Sequence, residues 1–99
     1  MIDFTKVVGF DWDAGNIRKN EKHGVTSAEA EQVFLDPALG ILEDVQHSNT
    51  EIRYLAYGAT GLRRLLAVAF TLRANASLIH VISARDMNRR ERKTYESQN

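Results

Sequence analysis

The chain changes its hydrophobic rhythm at about residue 37. Before that point, apolar residues come singly or at helical spacing. After it, they alternate with polar residues or run in short blocks. Val7 to Phe10 is a short apolar piece suited to an edge strand. Asp13 is a good N-cap for a helix over about 14–23, and Gly24 stands where a left-handed glycine ends one. That helix has a thin apolar face, Ala14 and Ile17, so it belongs on the surface. Thr26 and Glu29 form a capping box, which opens a second helix. It turns Ala30, Val33 and Phe34 inward and stops before Asp36-Pro37.

The second regime reads as strands over Leu39–Val45, Ile52–Tyr57, Arg64–Thr71 and Leu78–Ala84. Gly58-Ala59-Thr60-Gly61 and Arg73-Ala74-Asn75-Ala76 read as hairpin turns. Asn88 and Glu91 repeat the capping-box pattern and open a last helix over about 89–97. Helices segregated at the ends of an antiparallel meander give an α+β class: two N-terminal helices, a sheet of about four antiparallel strands and a C-terminal helix. Alternation puts Leu66, Val68 and Phe70 on one face of the third strand, and Leu65, Ala67, Ala69 and Thr71 on the other. It groups Arg53, Leu55 and Tyr57 on the second strand. On the fourth, it groups Ile79, Val81 and Arg85, with Ser83 between. The early helices should cover one sheet face, leaving the other partly open for a site.

Composition narrows the class. The 99 residues make one domain, spanning 1–99, and a 43% apolar content is enough to fold without staples. There is no cysteine, so neither a disulfide nor a thiolate metal site is expected, which fits a reducing compartment. No apolar run is long enough to span a bilayer. The start, Met1-Ile2-Asp3-Phe4, does not read as a secretory signal. A cytoplasmic protein is expected.

Charge changes the picture more. The net formal charge is zero, yet residues 1–50 hold 4 Lys/Arg against 9 Asp/Glu, and residues 51–99 hold 9 against 4. Eight of the nine late cations are arginines, the residue suited to bidentate phosphate recognition. They concentrate after Ile82-Ser83-Ala84-Arg85, where an apolar strand ends in one arginine and a basic helix follows. A phosphate-rich polymer is the target that both would suit.

At this level the motifs resemble a known family. Phe10-Asp11-Trp12-Asp13, Asn20-Glu21-Lys22-His23-Gly24-Val25 and Val33-Phe34-Leu35-Asp36-Pro37 look like the opening of the BrnT family. Asp44-Val45-Gln46-His47-Ser48 and Glu51-Ile52-Arg53-Tyr54 look like its middle, and Ile82-Ser83-Ala84-Arg85 with Arg89-Arg90-Glu91-Arg92 like its end. The resemblance covers about residues 8–96. It implies a type II toxin with a RelE-like fold that acts as a ribonuclease. It also implies a BrnA-like antitoxin partner, and operator DNA bound by the complex through that antitoxin.

RNA cleavage needs a base for the 2′-hydroxyl, cations for the phosphate and an acid for the leaving oxygen. His23, His47 and His80 show no metal-ligand spacing, so no cofactor is expected and a metal-independent mechanism is the better fit. Arg85 is the first choice for phosphate stabilisation, against a strand-end ion pair. Arg53 is the second, against a cross-strand pair with Glu51. His23 and Lys22 are candidates for proton transfer or positioning, although a basic pair at a helix C-terminus also favours the macrodipole. Arg63, Tyr57, Arg89, Arg90, Arg92 and Lys93 are candidates for RNA contact. His47 is expected to stabilise its turn, and His80 to sit in the sheet. The rival reading is a non-catalytic antitoxin-binding module that contributes to operator autoregulation.

Overall fold

The computed structural model describes residues 2–98, so Met1 and Asn99, the ends of the expected 1–99 domain, lie outside the described residues. The elements run β1 (Gly9–Asp11), α1 (Ala14–Lys22), α2 (Ser27–Val33), β2 (Gly40–Glu43), β3 (Tyr54–Ala59), β4 (Leu65–Arg73), β5 (Leu78–Asp86) and α3 (Arg89–Ser97). Short 3-10 turns occupy Phe4–Lys6 and Val45–His47.

The strands form one sheet in the order β1-β5-β4-β3-β2. Strands β2 to β5 make the antiparallel meander, and β1 pairs in parallel with β5, Phe10 opposite Ile79 and Asp11 opposite His80. The expected class therefore needs correction. The sheet is mixed and five-stranded, and a strand precedes the helices, in place of two N-terminal helices leading into about four antiparallel strands. The physical reason lies in β1. Its three residues are too short to show a period, and a parallel partner reached across two helices leaves no local turn signal.

The two faces of the sheet differ. On the first, α2 lays Ala30 and Val33 against Ala56, Leu66, Val68, Phe70, Val81 and Ala84, all fully or nearly fully buried. Phe70 anchors this core, with Phe34 edge-on at 5.1 Å and Tyr54 stacked at 5.4 Å. The Trp12 indole N–H donates to Glu31 Oε2 at 2.8 Å, fixing the segment before α1 to α2. Gly58 permits the close approach of α2: a Cβ there would stand 2.9 Å from the Val33 carbonyl oxygen and 3.0 Å from Val33 Cγ1. On the second face, α3 covers one end only, through Tyr95, Met87, Ala59 and Ala67.

Alternation holds along β3 and β4 but breaks in β5. Ala69 pairs with Ser83 and Phe70 with Val81, so Ile82 is an extra residue absorbed in a bulge. Strict alternation would place Arg85 with Ile79 and Val81. The bulge instead puts Arg85 opposite Ala67, on the α3 face, and Asp86 opposite Leu66, on the α2 face. The first hairpin turn also shifts. Gly58 and Ala59 belong to β3, and the reversal runs from Thr60 to Arg64, whose carbonyl accepts the Thr60 amide at 2.9 Å.

Candidate nucleic-acid site

Tyr57, Ala67 and Arg85 lie in one row across β3, β4 and β5. The small alanine leaves the two long side chains, whose strands stand about 10 Å apart, free to lean over it. Both meet Glu91 of α3. Arg85 Nη1 donates to Glu91 Oε1 at 2.7 Å and Nη2 to Oε2 at 2.9 Å. Glu91 Oε1 also accepts the Asn88 amide at 2.9 Å, and Asn88 Oδ1 accepts the Glu91 amide at 2.8 Å. The capping box legible in the sequence thus carries the arginine as well. This pairing holds the Glu91 carboxyl below its ordinary range, mainly through the Arg85 hydrogen bonds. The same carboxylate pushes the Arg85 guanidinium further up. Burial, followed by the charge of Glu91, raises the Tyr57 phenol, so Tyr57 is a neutral donor.

Four residues before Tyr57, just ahead of β3 and about 13 Å away, stands Arg53. Tyr54 faces the α2 core, so alternation puts Arg53 on the α3 face. Its Nε is 3.7 Å from Asp44 Oδ2, which is also 2.8 Å from His47 Nδ1. The charge of Asp44 is felt at Tyr57, which ties the two ends of this face electrostatically.

Beside α3, a cleft of about 480 Å³ opens between the helix and the β2 edge, lined by Leu42, Tyr57, Arg90, Glu91, Thr94 and Gln98 among others. Arg89, Arg90, Arg92 and Lys93 are all exposed, and the charge of Arg92 helps to lower Asp86.

The other candidates sit elsewhere. Lys22 and His23 are exposed at the end of α1. The next residue, Gly24, adopts φ 69° and its carbonyl accepts Arg64 Nη1 at 2.7 Å. That arginine also makes two bonds to Asp86, of 2.8 and 3.0 Å, and one to Glu29 at 3.2 Å. Lys22 and His23 are thus tied to the α2 side of the sheet. Of the adjacent pair, Arg64 is the internal clamp, and its ion pairs hold its pKa above the ordinary value. Arg63 is exposed with φ 68°, and its charge acts on Asp36 and Tyr95. His80 is buried in the sheet, 3.5 Å from Asp11 Oδ2.

Sequence reasoning missed Glu91 and Asp44 as site residues. For Glu91 a signal existed: a capping-box acid three residues into a helix reaches back toward the preceding strand end, where Arg85 stands. For Asp44 there was only its spacing of three from His47. Among the described residues, no group of three or more His, Cys, Asp or Glu side chains is placed to hold a metal, and no helix is long and apolar enough to cross a membrane.

Comparison with curated proteins returns no match. The family model described as "Ribonuclease toxin, BrnT, of type II toxin-antitoxin system" matches residues 12–91, a span that contains Tyr57, Arg53, Arg85 and the capping glutamate. With most of the chain covered, it belongs to the BrnT family of ribonuclease toxins of type II toxin–antitoxin systems.

Proposed function

We propose that this chain is a metal-independent endoribonuclease whose cleavage of RNA halts translation and growth, and that a BrnA-like antitoxin neutralises it in the cytoplasm. The observation that carries the reading is the Tyr57–Ala67–Arg85 row. It aligns a neutral phenol and a guanidinium on the face that α3 partly covers, beside the exposed cations of that helix. Tyrosine can stack a base, and the α3 cations can follow a backbone. Arg85, with its side chain 41% exposed, can exchange one Glu91 oxygen for a phosphate oxygen. Arg53 would engage the RNA backbone farther along the same face. Lys22 and His23 remain candidates for positioning from the rim of the domain. The arginines supply the charge stabilisation that a metal ion supplies in other nucleases. Operator DNA would be reached through the antitoxin, since this chain carries no DNA-reading motif of its own.

A second reading rests on the Arg85–Glu91 pair itself. Two-point pairing inside the molecule is what a purely structural arginine makes, and it favours an antitoxin-binding module without catalysis. One experiment separates the two. Purified protein incubated with RNA in EDTA should cut it, and Arg85→Ala should cut at least about tenfold more slowly, equivalent to ~1.4 kcal/mol in the barrier. Intact RNA with the wild type, together with tight antitoxin binding, would establish the second reading.

A further inference from the structure

Among the described residues, the Tyr57–Ala67–Arg85 row has no evident base of its own. Glu91 is a poor base, because its carboxylate is stabilised by Arg85 and the Asn88 amide and held below its ordinary range. His80 is buried within β5. His23 is exposed at the end of α1, and no carboxylate pairs with it among the described residues.

The loop between β2 and β3 is built differently. Asp44 occupies the N-cap position of the Val45–His47 turn, yet its side chain makes no capping bond. The carboxylate goes to the ring of His47, with Oδ2 2.8 Å from Nδ1, and faces Arg53 Nε at 3.7 Å. The loop is stapled by Ser48, whose Oγ donates to the Asp44 carbonyl at 2.8 Å and accepts the Arg53 amide at 2.9 Å. The Asp44 amide donates to the Arg53 carbonyl at 2.7 Å, continuing the β2–β3 ladder. A histidine whose Nδ1–H is held by a carboxylate presents Nε2 as a free acceptor, with its tautomer and ring direction set. The His47 side chain is 58% exposed, while Asp44 is 16% and Arg53 27% exposed. The ring is open to a substrate and its support is sheltered.

We propose that His47 is the catalytic base of this domain, that Asp44 positions it, and that Arg53 beside it receives the scissile phosphate of single-stranded RNA. This assignment rests on the ribonuclease reading above. His47 Nε2 takes the 2′-hydroxyl proton, and the 2′-oxygen forms a bond to the neighbouring phosphorus. The bond from phosphorus to the 5′-oxygen breaks, and that oxygen leaves with the electron pair and takes a proton from solvent. His47 returns its proton to solvent. The products are a 2′,3′-cyclic phosphate and a 5′-hydroxyl, with no redox change and no metal. Tyr57 and Arg85 then hold the strand on one side of the cut.

The test uses the full chain, a single-stranded RNA oligonucleotide and EDTA. His47→Ala should lose about 100-fold in kcat with little change in KM, within the usual span of acid–base catalysis. Its melting temperature should stay near wild type, and added imidazole should restore part of the rate. An oligonucleotide with a 2′-deoxy residue at the cleaved position should resist the wild type. His47→Gln, which keeps a donor toward Asp44, should be as slow as His47→Ala. Wild-type cleavage that persists in both variants overturns the assignment and leaves the ribonuclease reading standing. So does a loss that imidazole does not restore, which would assign His47 to the turn alone. A wild type that leaves the RNA intact overturns both.

Discussion

Glu91 grips the Arg85 guanidinium at two points, 2.7 and 2.9 Å, with the same side chain that caps α3. One carboxylate therefore serves a helix end and a strand end, and it competes with any phosphate for the arginine. Glu91→Gln keeps the capping geometry, since glutamine also serves at that position, but removes the competing charge. It should tighten RNA binding while lowering thermal stability. Kd and melting temperature measured on one preparation would show the opposite movements. Weaker binding by this variant would mean that the pair itself forms the RNA site.

Gly58→Ala should destabilise the fold by about 1–3 kcal/mol, as overpacking does in a well-filled site. The new methyl would meet the Val33 carbonyl oxygen at 2.9 Å, backbone that cannot step aside without moving α2. The urea midpoint should fall with the m-value unchanged.

Tyr95 and Asp36 join α3 to the end of α2. Asp36 Oδ2 accepts from the Tyr95 hydroxyl and from the Ala59 amide at 2.7 Å, and Oδ1 from the Ala38 amide at 2.8 Å. Tyr95→Phe should cost about 1 kcal/mol, because the carboxylate keeps its two amide donors. Asp36→Asn should cost more, and denaturant unfolding of both variants would rank them.

Acid should weaken the fold through four carboxyls held below their ordinary values. Glu29 is lowered first by the Thr26 amide, and Asp86 and Glu91 by their arginines. Burial alone would raise Asp36, but bonds from Tyr95, Ala38 and Ala59 outweigh it. The folded state therefore binds these protons more weakly than the unfolded chain. The stabilisation is complete above the ordinary carboxylate range and drains as pH falls through it. Melting temperature should drop between about pH 5 and pH 3, and the drop should shrink in Asp86→Asn.

The α3 cations should contribute affinity without sequence preference. Replacing Arg89, Arg92 and Lys93 with glutamine should reduce the salt dependence of RNA binding by about 0.7 in log–log slope for each phosphate no longer neutralised. An unchanged slope would place the RNA elsewhere.

Local chemistry accounts for what the sequence showed in advance. Thr26 with Glu29, and Asn88 with Glu91, both form the expected capping boxes, because the bonds span only three residues. The faces of β4 followed from alternation. An edge strand near Val7–Phe10 was legible, but its place beside β5 was not, because that pairing is parallel and distant. Arg63 and Arg64 could not be told apart by pattern, since partners 22 and 35 residues away decide which one is the clamp. The His47–Asp44 spacing was visible, but not the ladder that brings Arg53 to it.

The bulge at Ile82 has a consequence for how the hairpin finds its pairing. If Ile82 paired in strict alternation with Ala69, counting onward would set Arg85 opposite Leu66, in the place of Asp86 and beside Arg64. Arg64 would lose its two bonds to that carboxylate and face a like charge, a cost that the bulge avoids. The charge that serves the outer surface thus also proofreads the register of the strands beneath it.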